Sequence, residues 1–156
     1  MFTVKDNDTV ETLLALNQFV HEWHVHAYPE IFRDNAAVEF REYFKRTLAS
    51  PDCYHYVAYD NLKAVGFIQA EIKVFNGNAF RQPNRIVFVH IIVVHPGYRG
   101  QGVGHLLMEK VYELADSHGI SRIELDHWAG NESASSFFGE LGFKPYRHYL
   151  FIEREK

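Results

Sequence analysis

Apolar positions change their spacing several times along this chain, and each change marks a new element. Leu13, Leu16, Val20, Trp23 and Ala27 share one helical stripe, which Pro29 interrupts. Asp8 precedes Glu11 at capping-box spacing, so the helix is predicted to begin there with Asp8 as its cap. Val38, Phe40, Tyr43, Phe44 and Leu48 predict a second helix over 36–48, closed by Ser50 and Pro51. Strand-like runs follow the short one near the N-terminus, at 54–59, 64–75 and 85–94. Helical spacing returns with Val103, Leu106, Leu107, Val111, Leu114 and His118, and Gly119 suits the helix end. A strand starting at 123–125, a short helix over 133–141 and a final strand over 146–153 complete the pattern. No repeat or linker interrupts it, so a single domain over 1–156 of the α/β class is expected, in three layers (α/β/α) with a central mixed, mostly antiparallel sheet.

Composition narrows the function classes. A chain of 156 residues can bury one substantial core, and a net charge of -4 argues against a nucleic-acid partner. The single cysteine, Cys53, excludes both an intramolecular disulfide and a cysteine-rich zinc site. No apolar run approaches a membrane span and the N-terminus lacks a signal segment, so no membrane partner and a cytoplasmic location are expected.

The chemistry concentrates between His95 and Gly104. A β-forming run enters a glycine-rich turn that opens into a helix, a geometry that aims unpaired backbone N–H groups at one point. Gly100, Gly102 and Gly104 carry no side chain to hold a ligand away, and Arg99 adds a cation, so the stretch reads as a phosphate cradle. It is not a P-loop, because Val103, Gly104 and His105 stand where Gly-Lys-Ser/Thr is needed. Nor is it a dinucleotide fingerprint, since Leu107 occupies the third glycine position.

The spacing Arg99-x-x-Gly102-x-Gly104 resembles the acyl-CoA signature of the GNAT N-acetyltransferase superfamily. A second stretch, from Asn131 through Ala134, Phe137 and Phe138 to Leu141, Gly142 and Phe143, is similar to that family's Asn-x-x-Ala-x-x-aromatic motif. The resemblance implies a GNAT-like fold with splayed fourth and fifth strands and acetyl-CoA as cosubstrate. It implies that Arg99, Gly100, Gln101, Gly102, Val103 and Gly104 hold the pyrophosphate. Main-chain groups of Ile92, Val93 and Val94 would pair with pantetheine, and Asn131, Ala134 and Phe137 would lie beside it. Asn131 is equally placed to cap a helix. The implied activity is transfer of an acetyl group to a primary amine by direct attack in a ternary complex, with a small-molecule or peptide amine as acceptor. Homodimers are common among such domains. One departure stands out: Phe138 occupies a position where the family often has a tyrosine that protonates the departing thiolate. Tyr98, Tyr146 and Tyr149 are alternative hydroxyls, and a non-catalytic acyl-CoA sensor is the alternative function.

An amine attacking a thioester must first lose a proton, because its pKa is about 10. His90 stands nine residues before Arg99, where the family often places a glutamate, and is the first candidate base. A core histidine sharing a strand face with Phe88, Ile92 and Val94 would explain it as well. Glu71 on the preceding strand is the second candidate base, or an exposed residue of the solvent face. The segment from His21 to Pro29 is rich in histidine and aromatic residues. It lacks the HExxH arrangement of a metal site, and His24, Tyr28 and Phe32 are candidate acceptor-binding residues.

Overall fold

Five strands form one sheet in the order β1 (Phe2–Asp6), β2 (Cys53–Asp60), β3 (Lys63–Phe75), β4 (Asn84–Val94) and β5 (Ile123–Leu125). Neighbours run antiparallel except β4 and β5, which are parallel, so the sheet is mixed as the sequence pattern predicts. Helices α1 (Val10–Ala27), α2 (Ala37–Ala49) and α3 (Val103–Ser117) belong with this sheet to a first compact unit, Met1–Asp126. The second unit, His127–Lys156, holds α4 (Glu132–Glu140). The computed structural model describes residues 1–155.

Side chains directly opposite each other across a ladder point to the same face. One face carries Val57, Tyr59, Phe67 and Val93, and these close a core with Leu13 and Leu16 of α1 and Phe44 of α2. The other face receives α3 through Val103 and Leu107, which approach Gly66 on β3. A methyl group at Gly66 would sit 2.7 Å from the Val93 carbonyl oxygen and 3.2 Å from a Val103 methyl, so this glycine is what lets α3 lie close. The two helix pairings bracket β3 and β4, and the loop between β4 and α3 is thereby held from both sides of the sheet.

Two local expectations are corrected. The cap of α1 is Thr9, whose side chain accepts from the Thr12 amide, while Asp8 accepts from the Thr9 amide at 2.7 Å and from the Tyr59 hydroxyl. A buried tyrosine partner competes for the carboxylate, and the next hydroxyl takes over the cap. The strand expected over 146–153 does not form; Tyr149, Leu150, Phe151 and Ile152 are exposed. Alternating apolar residues make a strand only where a neighbouring edge accepts their backbone groups.

Candidate active site

The β4–α3 loop is built to leave amides open. His95 caps a 3-10 turn over Pro96–Tyr98, its Nδ1 accepting from the Gly97 amide at 3.0 Å. Tyr98 pins the turn: its hydroxyl donates to Asp60 at 3.1 Å, and the Lys63 ammonium lies 5.0 Å from its ring centre. Burial, then the bond to Asp60, holds this hydroxyl above the usual tyrosine range, so Tyr98 is an anchor rather than a proton donor to a ligand. Gly100 and Gly102 have φ of 74° and 86°, the left-handed conformation that glycine tolerates. Gly102 is the N-cap of α3 and supplies no side-chain cap, so nothing from the cap covers the first amides of the helix. The first intrahelical bond runs from the Leu106 amide to the Gly102 carbonyl at 3.0 Å, leaving the N–H groups of Val103 and Gly104 outside the ladder. A Cβ at Gly100 or Gly102 would meet nothing within 4 Å, so the space in front of these amides is open. Arg99 rests its Nε on the Val94 carbonyl at 3.4 Å, and Gln101 donates to the Gly97 carbonyl at 3.1 Å. The Val103 side chain is buried in the core, so only its amide can serve a ligand. A turn with open amides, room and one cation fits a diphosphate.

Upstream on β4 the ladder with β3 slips by one residue. Val89 pairs with Ala70 and Ile91 with Gln69, so His90 is the extra residue of a β-bulge. The slip redirects side chains: Phe88 opposes Glu71, Ile91 opposes Gln69 and Val93 opposes Phe67. His90 therefore shares its face with Phe88, Ile91 and Val93, not with Ile92 and Val94 as strict alternation would have it. Its Nε2 lies 2.5 Å from Glu71 Oε2, with side chains 26% and 32% exposed, so each candidate base is the other's partner. Phe88 packs beside the imidazole at 4.9 Å, and the Lys73 ammonium covers the Phe88 ring at 4.2 Å. The last rung between β4 and β5 joins Val89 to Leu125. From His90 to Val94, β4 thus runs on past its parallel neighbour, and the bulge sits at the point where the two strands part.

The first unit also gathers the predicted acceptor-binding residues. His24 stacks on Phe32 at 4.6 Å and Tyr28 meets Trp23 edge-on at 6.3 Å, all at the end of α1 and the turn after it. Burial, then the nearby His21, holds the His24 imidazole below its ordinary range. Two residues that sequence reasoning did not select for a site meet on the sheet face of the candidate bases. Gln69 donates to the Tyr43 hydroxyl at 2.7 Å, and both lie on the face that carries Glu71 and His90. The available signal was Gln69 itself, a polar residue inside the apolar run of β3.

In the second unit, Asn131 caps α4 by accepting from the Ala134 amide at 3.0 Å. Phe138 is buried, with Phe137, Phe143 and His127 around its ring at 5.2 Å, 5.6 Å and 6.3 Å. Its environment is that of a packing residue. Tyr146 is 66% exposed and lies in no strand.

Comparison with known proteins decides the family, because the Acetyltransferase (GNAT) family matches residues 17–143. The chain belongs to the GNAT acetyltransferases. An uncharacterised N-acetyltransferase of Methanocaldococcus jannaschii is 32% identical over 106 residues, covering 67% of this chain and 45% of that protein. The chain thus spans less than half the length of this relative. N-alpha-acetyltransferase 30 of Schizosaccharomyces pombe is 25% identical over 138 residues, covering 86% of this chain and 73% of that protein. Among solved structures, the BH1408 protein of Bacillus halodurans superimposes with a TM-score of 0.92 at 23% identity, over 98% of this chain and 99% of that one. An aminoglycoside N-acetyltransferase in complex with CoA has a TM-score of 0.78 at 18% identity, over 100% of this chain and 96% of that one. These likenesses establish the GNAT fold. Among the described residues, no helix is long and apolar enough to cross a membrane.

Proposed function

We propose that this GNAT domain transfers an acetyl group from acetyl-CoA to a primary amine, with His90 as the base. The observation that carries the reading is the bulge: it puts an imidazole, paired to Glu71 at 2.5 Å, on the strand that leads into the glycine cradle. The amides of Gly100 to Gly104 and the Arg99 guanidinium would hold the pyrophosphate. Ile92, Val93 and Val94, beyond the last β4–β5 rung, would pair with the pantetheine arm as an added strand. Bound acetyl-CoA supplies the thioester carbon that an amine attacks.

The chain's own residues then manage one proton. Glu71 accepts from Nε2–H of His90, which fixes the tautomer and leaves Nδ1 with the lone pair. Nδ1 takes one proton of the acceptor ammonium, and the resulting positive charge lies against a carboxylate; the second proton, lost as the C–N bond forms and the C–S bond breaks, passes to solvent. The His24, Tyr28 and Phe32 cluster would line the acceptor's approach, its aromatic faces suited to a cation. The Asn131 carbonyl is engaged in its cap, so the part of this side chain left to serve a ligand is its amide N–H group. Phe138 has no hydroxyl and the Tyr98 hydroxyl is bound to Asp60, so the thiolate leaves without a proton from either. A thiol pKa of about 8.5 allows this.

The test is an acetyl-CoA assay against a broad amine library, followed by free thiol release. Release that depends on an amine supports the enzyme. Thermal stabilisation by acetyl-CoA without release would make the domain a sensor, and neither effect would sink both readings.

A further inference from the structure

Beneath the candidate site, four polar side chains that no step above uses run through the core. Thr47 of α2 is 7% exposed, and His55 of β2 and Gln69 of β3 are 1% exposed. His55 stands directly opposite Gln69 in the ladder. Thr47 Oγ1 lies 3.1 Å from His55 Nε2, and Gln69 Nε2 donates to the Tyr43 hydroxyl at 2.7 Å. Two buried atoms are left over, His55 Nδ1 and Gln69 Oε1. The ring nitrogen can carry a proton and the amide oxygen can only accept one. Neither atom has a hydrogen-bond partner, although the two residues face each other in the ladder.

The links among these side chains differ in how far their direction is set. Burial pushes the His55 imidazole down to about 4, so at neutral pH it carries a single proton. Its Nε2 meets the Thr47 hydroxyl, whose own proton reaches the Phe44 carbonyl at 3.3 Å. Only the link from Gln69 to Tyr43 therefore has a set direction, because its donor is an amide N–H. The Tyr43 oxygen accepts from the core side, so its own proton is directed away from the core. Gln69 and Glu71 are two residues apart on β3 and share the face toward α2. Tyr43 thus packs against the face that carries the Glu71–His90 pair, near enough for the Glu71 charge to act on its hydroxyl.

We infer that Tyr43 is a specificity-determining residue, selecting amines that carry a carbonyl or hydroxyl oxygen close to the reacting nitrogen. The inference rests on the acetyltransfer reading and deepens it. Glu71 and His90 offer acceptors to an ammonium, whereas Tyr43 offers a donor whose orientation the core has already fixed. An acceptor molecule with an oxygen near its amine satisfies both kinds of group. A plain alkyl amine leaves the hydroxyl unpaired in a half-buried setting, and such mismatches are where discrimination arises.

The experiment measures kcat/KM for glycinamide and for n-propylamine with acetyl-CoA, in the wild type and in Tyr43→Phe and Gln69→Leu. The quantity read is the ratio of the two amines within each protein, which cancels any general loss of activity. Wild type favours glycinamide, and Tyr43→Phe lowers the ratio about tenfold, chiefly through KM. Gln69→Leu lowers it too although Tyr43 is still present, because the donor loses its fixed direction. Should Gln69→Leu fail to fold, Tyr43→Phe decides alone, since it deletes one partly buried oxygen. An unchanged ratio in Tyr43→Phe overturns the assignment while leaving the acetyltransferase reading intact. Release of thiol with no amine in the library, despite stabilisation by acetyl-CoA, never exceeding hydrolysis overturns both.

Discussion

His90 owes its position to one extra residue in β4. Without the slip between Val89 and Ile91, strict alternation would have aligned its face with Ile92 and Val94 rather than Ile91 and Val93. Replacing it tests the base assignment directly. His90→Ala is expected to lower kcat about 100-fold or more while acetyl-CoA still raises Tm as in the wild type. Glu71→Gln keeps the side chain's shape but removes the carboxylate, so a smaller loss of kcat is expected, with the pH–rate profile displaced to show the pair acting as a unit. Equal activity in His90→Ala and wild type would move the proton to bulk water. His55 makes a different claim, about stability. Its imidazole is lowered from 6.5 to about 4 by burial, so the unfolded chain binds a proton that the folded chain refuses. Its contribution is complete above pH 6.5 and is lost as pH falls toward 4, a loss of about 3 kcal/mol. His24, shifted in the same direction, adds to the trend. Urea midpoints measured from pH 7 to pH 4.5 should fall steadily, and a flat profile would contradict the burial of His55.

At the scale of elements, two glycines hold the site together for unrelated reasons. Gly66 lies where β3 meets α3, and its substitution is a question of space: a methyl group would be 2.7 Å from a backbone oxygen that cannot swing aside. Gly66→Ala is expected to cost about 1–3 kcal/mol as α3 is pushed outward, and to weaken acetyl-CoA binding because the cradle is the start of that helix. Gly102 faces open space, so its substitution is a question of backbone alone, with φ at 86°. Gly102→Ala is expected to cost about 1–2 kcal/mol and to distort the first amides of α3. Differential scanning with and without acetyl-CoA reads both losses in each variant. Most of these elements were legible in the sequence, since five strands and four helices follow apolar periods of two and 3.6 residues. The exceptions have identifiable causes. Asp8 looked like a cap until Tyr59, distant in sequence, claimed its carboxylate. Residues 146–153 alternate like a strand, yet alternation says nothing about whether an edge exists to pair with.

For the molecule as a whole, the test is linkage. A ligand held only by the folded state stabilises it by about 2.7 kcal/mol at a hundredfold excess over Kd, so acetyl-CoA should raise the unfolding midpoint in a concentration-dependent way. Tyr43→Phe and His90→Ala should retain that response, while Gly102→Ala should lose part of it. The glycine turn was readable from one stretch because local sequence dictates where a strand ends, where glycines permit a positive φ and where a helix begins. Amphipathic periods likewise settled the α/β class from the chain alone. The pairing of His90 with Glu71, the face that His90 occupies and the bond from Gln69 to Tyr43 were decided only by tertiary structure. Register, bulges and buried hydrogen bonds join residues far apart in sequence, and no local pattern records which partner each will meet.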